Sequence, residues 1–296
     1  MNIFITGATG LVGSALCKKL KRVHTLSVLT RDTKSAKQKL GNELCYVNDV
    51  SNINFNTIDC VINLAGEPIV NKRWSSQQKQ KIRDSRIGLT QQISDAIMQC
   101  DTPPHTFISG SAIGYYGRQG SQLIDEQYEK IHPEFSHTLC DDWEQAALRA
   151  QSQHTRVCVI RTGIVLASHG GALAKMLPPF KLGLGGPIAN GEQGMSWIHI
   201  DDMVSLLEFT LETPRLSGAI NATAPSPVSN YNFSKILAKA LHRPAILPMP
   251  AWVLNILMGE MADLLIYGQF VLPQKLVDNG FVFTYPTLPK ALDHLT

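Results

Sequence analysis

An α/β fold with a doubly wound parallel sheet is predicted by three features of this 296-residue sequence. The first twenty residues, MNIFITGATGLVGSALCKKL, read as strand, glycine turn and helix. Short apolar runs then alternate with stretches of helical periodicity. Leu64-Ala65-Gly66 stands directly after the fourth run, at the strand end where open α/β sheets bind ligands.

The opening unit is the most informative. Ile3, Phe4 and Ile5 form a buried strand, while Val12, Ala15, Leu16 and Leu20 recur at helical spacing. Between them, Gly7 permits a tight turn, Gly10 lets backbone N–H groups approach a pyrophosphate, and Gly13 lets the helix lie close on the strand. The helix N-terminus adds free donors and partial positive charge. A glycine turn in this context points to dinucleotide binding on a Rossmann-type sheet, with Gly7, Thr9, Gly10, Leu11 and Val12 at the cofactor.

Composition narrows the class. With 44% hydrophobic residues the chain can bury a sizeable core. Its 17% charged residues and net charge of +3 are too weak a bias for nucleic acid or an anionic membrane surface. The six cysteines are scattered, with no C-x-x-C pair and no metal-ligand spacing, as in reduced thiols of a cytoplasmic protein. With a first strand at residue 2 or 3, no signal peptide is expected. The most lipophilic stretch, 251–266, is interrupted by Asn255, Gly259, Glu260 and Asp263, so no membrane span is expected.

Thr25–Thr30 is the second strand, and its end selects the ribose substituent about 20 residues past the glycines. An acidic side chain there would accept from a 2′-hydroxyl. Here the strand ends in Thr30-Arg31, and a guanidinium can stack on adenine and grip a 2′-phosphate. NADP(H) is therefore expected over NAD(H), with Asp32, one residue on, keeping NAD(H) as the alternative. Leu44–Val47 and Asp59–Asn63 are the third and fourth strands, the latter leading into Leu64, Ala65 and Gly66 as further cofactor contacts. From Ser75 to Met98 the pattern is helical; Arg86 on it is directed either at the cofactor or into a surface ion pair. His105–Ser109 is the fifth strand and Arg156–Arg161 the sixth. A helix opens at Gly170-Gly171, and the glycine-rich stretch 182–194 reads as a mobile loop over the substrate. Asp201 and Asp202 read as the N-cap of a helix from Met203 to Leu211, and Gly218–Thr223 is a late strand.

The fifth strand ends in Ser109-Gly-Ser111-Ala-Ile-Gly-Tyr115-Tyr116-Gly117. This turn and the order of elements resemble the extended short-chain dehydrogenase/reductase superfamily, the group of UDP-galactose 4-epimerase. More narrowly, NLAGEPI at 63–69, DSRIGLT at 84–90, CDDWEQAA at 140–147, RTGIVL at 161–166 and LGGPIANGEQGMSWIHIDD at 184–202 resemble its atypical branch of epimerase-family proteins, across essentially the whole chain. The resemblance implies a main-chain contact to the nicotinamide carboxamide at Val165 and a substrate-orienting serine at Ser111.

It also implies a Tyr-x-x-x-Lys pair on the next helix, whose lysine lowers the tyrosine pKa so that the phenol works as acid or base. On that alignment Ser136 stands at the tyrosine position and Cys140 at the lysine position. Serine is a far weaker acid than a phenol, and cysteine cannot supply a fixed positive charge. Tyr115, Tyr116, Cys140 and His199 are the candidate replacements, each with a plain packing role as its alternative. The catalytic candidates are thus Ser111, Tyr116 and Cys140.

The expectation is an NADP(H)-binding epimerase or reductase-like enzyme for a small carbonyl or sugar-like substrate, with a cofactor-binding sensor or scaffold as the rival. Residues 1–225 form the Rossmann domain, with 166–198 on the substrate side. Residues 226–296 form a small C-terminal α/β domain that shapes the substrate cavity or an oligomer contact, which leaves a homodimer open.

Overall fold

The computed structural model describes residues 1–296. β1 (Asn2–Thr6) runs through the glycine turn into α1 (Leu11–Leu20), followed by β2 (Thr25–Leu29), α2 (Thr33–Leu40) and β3 (Cys45–Val47). Next come β4 (Cys60–Asn63), α3 (Ser76–Arg83), a π-helical turn at Asp84–Gly88, and α4 (Leu89–Met98). β5 (Thr106–Ala112), the short β6 (Leu123–Ile124), α5 (Phe135–Leu148), β7 (Arg156–Thr162) and β8 (Ile164–Ala167) lead to α6 (Gly171–Lys181). The chain continues through β9 (Gly194–Met195), β10 (Trp197–His199), α7 (Ile200–Glu212) and β11 (Gly218–Ala222). It ends with β12 (Val228–Ser229), α8 (Asn230–Ala240), α9 (Ala251–Met258), α10 (Asp263–Ile266), β13 (Phe270–Val271), α11 (Gln274–Asp278) and α12 (Leu288–Leu295).

Seven strands form one parallel sheet in the order β3-β2-β1-β4-β5-β7-β11, the Rossmann arrangement. The order reverses between β1 and β4, where the connections leave toward opposite edges and open a crevice at the strands' carboxyl ends. Successive side chains alternate between two cores. Ile3 and Ile5 join Leu16, Ile62, Ile160 and Leu207 under α1 and α7. Phe4 joins Val61, Phe107 and Val159 under α4 and α5. Both faces being covered, the strands read as continuous apolar runs without alternation of polarity. A third core unites Leu166, Leu173, Phe180 and Trp197 with Phe233, Leu237 and Leu292, so residues from either side of β11 share one interior. No helix is long and apolar enough to cross a membrane.

Three local readings are corrected. The helix expected over 75–98 contains the π turn at Asp84–Gly88, a widening that hydrophobic spacing does not register. The stretch 182–194 is a packed crossing and not a free loop: a side chain at Gly186 would collide with the Leu247 backbone, and one at Gly194 with Gln269. Its glycines answer to close backbone approach. The cap of α7 is His199, whose Nδ1 accepts from the Asp201 N–H at 3.0 Å. Asp202 is instead buried and accepts from the N–H groups of Thr284 and Tyr285, at 2.8 and 2.9 Å, which ties the C-terminal segment to α7.

Candidate functional site

Two adjoining cavities occupy the crevice. The polar one, of about 600 Å³, is lined by Gly7, Thr9 and Gly10 of the glycine turn, by Thr30, Arg31 and Asp32 after β2, by Asn48 after β3, and by Leu64, Ala65 and Gly66 after β4. Gly7 adopts φ +70°, and any side chain there would strike the Leu64 carbonyl, so the two loops touch through bare backbone. Thr6 Oγ1 donates to Asn63 Oδ1 and accepts from the Ala65 N–H at 3.3 Å, while Asn63 Nδ2 donates to Thr90 Oγ1 at 2.8 Å. These buried bonds fix the second loop beside the first.

The polar cavity fits a dinucleotide. The amides of Leu11, Val12 and Gly13 have no acceptor in the chain, the state in which a helix N-terminus binds phosphate. A Cβ at Gly10 would meet only the Gly7 carbonyl, at 3.1 Å, and would otherwise fill open space. Lys39, which the sequence did not single out, donates from Nζ to the Thr9 carbonyl at 2.7 Å and steadies the turn. At the end of β2, Asp32 Oδ1 accepts from the Ser35 N–H at 3.0 Å as the N-cap of α2. Arg31 beside it is exposed and makes no hydrogen bond or ion pair.

The second cavity, of about 390 Å³, is walled by residues 111–114, by Ser136, Cys140 and Trp143 of α5, by Thr162, Gly163 and Ile164, and by residues of α6 and α10. Arg86 joins the two cavities: it lines the second and lies against Gly66, which lines the first. Placed on the π turn, it donates from Nη1 to the carbonyls of Glu67 and Ile82, at 3.0 and 3.3 Å, and burial pulls its pKa down. It is not in a surface ion pair. Leu11 packs its side chain on the Gly170-Gly171 turn, and Val12 and Val165 pack against the core beneath. None of these three residues lines either cavity, whereas Thr162, Gly163 and Ile164 line the second one.

Ser111 reaches the second cavity and is nearly buried. Its hydroxyl donates to Glu144 Oε1 at 2.7 Å, and Glu144 takes a two-point bond from Arg161, Nε to Oε1 and Nη2 to Oε2, both at 2.8 Å. The Arg161 guanidinium lies 3.4 Å from the Tyr115 ring centre and donates to the Tyr116 hydroxyl at 3.1 Å. Burial works against its charge, but Glu144 more than offsets this and its pKa rises. With its proton directed at Glu144, Ser111 Oγ keeps its lone pairs for a ligand.

Tyr116 is a correction. It is fully buried, lines neither cavity, and its hydroxyl sits between Arg161, Asn221 Oδ1 at 2.9 Å and the Asp125 carbonyl at 3.1 Å. Burial pushes its pKa up to about 12, so it packs and does not shuttle protons. Cys140 does face the second cavity, yet burial, reinforced by Glu144, raises its thiol to about 12 and keeps it neutral. His199 is wholly buried: with Nδ1 occupied as an acceptor, Nε2–H is left to donate to His294 Nδ1 at 3.1 Å. Glu144 and Arg161 were missed; their signal was a charge on the apolar face of a helix and another closing an apolar strand.

The NAD-dependent epimerase/dehydratase family matches residues 3–241. The chain belongs to that family. A domain of unknown function, DUF1731, matches 249–295, the stretch that carries α9 to α12. Among relatives of the epimerase-family chain, the epimerase family protein ML0860 of Mycobacterium leprae is 38% identical over 99% of this chain and 95% of its own. Epimerase family protein SDR39U1 of Mus musculus is 35% identical over 99% of this chain and 98% of its own. The crystal structure of human epimerase family protein SDR39U1 with NADPH superposes with a TM-score of 0.92 at 33% identity, covering 100% of this chain and 99% of that one.

Proposed function

We propose that this epimerase-family protein is an NADP(H)-dependent oxidoreductase or epimerase that acts on a small carbonyl or sugar-like substrate without the usual Tyr-x-x-x-Lys pair. The observation that carries the cofactor preference is the end of β2, where Asp32 is engaged as a helix cap and the Arg31 side chain is unpaired at the cavity edge. A guanidinium there complements a 2′-phosphate, while one oxygen of the Asp32 carboxylate is already held by the cap of α2. The NADPH in the human relative supports the same reading.

When bound, the nicotinamide gives or takes a hydride. The chain holds the phosphates at the α1 amides and shields the reacting carbon with the apolar walls of the second cavity. Ser111 Oγ accepts from a substrate hydroxyl, and Glu144 Oε1 is placed to take the serine's own proton as the substrate's moves to Oγ. Arg161 keeps that carboxylate oriented.

Fluorescence titration tests the preference: NADPH binds more tightly than NADH, and Arg31→Ala weakens NADPH on the order of 10-fold while leaving NADH unchanged. Equal affinity for both coenzymes in the parent protein overturns it. A second reading, a cofactor-binding sensor without turnover, draws on the neutral Cys140 thiol and on Ser136 at the cavity wall. NADPH oxidation in a substrate screen that collapses in Ser111→Ala ends that reading.

A further inference from the structure

We infer that the second cavity takes a neutral, mainly apolar carbonyl compound or its alcohol, and not a nucleotide-linked sugar. This rests on the oxidoreductase reading above and narrows it.

The ionisable side chains of the wall, beyond the neutral thiol of Cys140 and the phenol of Tyr267, are Arg86, Arg118, Glu134 and Asp263. Arg118 is held on both sides, Nε to Glu134 Oε2 at 3.0 Å and Nη2 to Asp263 Oδ2 at 2.5 Å, with the Tyr267 ring centre 4.1 Å from its guanidinium. Two carboxylates around one guanidinium leave that end with no positive charge to offer. Arg86 has no carboxylate partner, but it spends Nη1 on main-chain carbonyls and sets Nη2 and Nε against Gly66 on the cofactor side of the seam. A sugar nucleotide would bring a diphosphate with two negative charges, and one guanidinium set toward the cofactor cavity does not offset taking both out of water.

The remaining wall suits another ligand. Ile113, Leu139, Ile164, Met176, Met195 and Leu264 give it an apolar lining, and 390 Å³ is at the small end of ligand pockets, about 300–1,000 Å³. The hydroxyls of Ser111 and Ser136 stand near the α5 end, with Ser111 Oγ as the free acceptor. Gln193, Asn230 and Gln269 add neutral polar groups, with Gln193 Oε1 buried and unpartnered, so the wall admits an uncharged ligand with a carbonyl or hydroxyl at Ser111 and a largely apolar body. In the reductive direction a hydride from NADPH bonds to the carbonyl carbon as the C=O π bond breaks, and a proton drawn from water reaches the oxygen through Ser111 Oγ. The products are the alcohol and NADP⁺; oxidation runs the same balance in reverse.

The test is calorimetry on the full chain saturated with NADP⁺, which blocks ketone turnover, using acetophenone and UDP-glucose as probes. The expected result is heat with acetophenone and none with UDP-glucose. Met176→Lys, or Ala172→Glu should the first variant not fold, weakens acetophenone binding on the order of 10-fold or more with the NADP⁺ titration unchanged. Tighter binding of UDP-glucose than of acetophenone overturns the inference, as does binding of none of the probes or acetophenone binding indifferent to both variants. The cofactor titration separates the two levels. Absence of NADP⁺ and NADPH binding defeats the oxidoreductase reading, and the same probes titrated into the chain alone then decide the substrate class. Acetophenone binding to the NADP⁺ complex without any NADPH oxidation upholds the substrate class and defeats the reading of turnover.

Discussion

Removing the Glu144 carboxylate probes the polar network under the second cavity. Arg161 and Glu144 have side chains only 6% and 4% exposed, and their two 2.8 Å bonds make each the other's counter-charge. Glu144→Ala leaves a guanidinium buried without a carboxylate, a change that costs about 3–5 kcal/mol for pairs of this kind. At roughly 2–4 °C per kcal/mol for domains somewhat smaller than this chain, the melting temperature falls on the order of 10 °C. Removing both charges with Glu144→Leu and Arg161→Met together returns most of the loss, because the packed apolar pair has no desolvation penalty. The double variant then isolates the chemistry: Ser111 has lost the acceptor for its proton, so turnover falls while NADPH titration is unchanged. Urea unfolding of the three proteins reads the first part, and coenzyme titration with a turnover assay reads the second. A Glu144→Ala loss under about 1 kcal/mol would refute the buried-pair argument, and undiminished turnover in the folded double variant would refute the role given to Ser111.

Two further predictions concern side chains the structure removes from the reaction. Burial lowers the His199 pKa below its usual 6.5. Between that folded value and about 6.5 the unfolded chain binds more protons than the folded one, so stability is full above about 6.5 and is lost as pH falls through the window. His199→Asn retains an acceptor for the Asp201 N–H and flattens this dependence; urea midpoints from pH 5 to 7.5 with the same slope in both proteins would defeat the assignment. Tyr116→Phe strands Arg161 Nη1 and Asn221 Oδ1 and costs about 1–3 kcal/mol in denaturation, with NADPH affinity unaltered. A variant of parental stability with weakened coenzyme binding would refute the packing role given to Tyr116.

The Rossmann sheet was legible because its central strands, such as β1 and β4, are covered on both faces and so appear as compact apolar runs between helical stretches. The polar cavity was legible for a related reason: its walls are loops that directly follow β1, β2 and β4, so position along the chain gives position in space. Thr30, Arg31, Leu64, Ala65 and Gly66 all line it. The second cavity has no such rule. It is closed by α6 and by 263–269, whose distance from Ser111 along the chain says nothing about their distance across the crevice.

Individual side chains divide along the same line. Tyr116 looked reactive in sequence because a phenol near a strand end has the right chemistry; the Arg161 and Asn221 contacts that immobilise it come from strands β7 and β11. Asp32 turns out to serve the start of α2, with one carboxylate oxygen accepting from the Ser35 N–H, a role that spacing did not show. What the sequence determined by itself was local: the glycine turn, its strand and helix, and the residue types at the end of β2, since backbone freedom and periodicity act over a few residues. What only the tertiary structure decided was which polar groups are already engaged, because a hydrogen bond across 33 residues, as between Ser111 and Glu144, depends on how strands and helices are brought together and leaves no trace in spacing.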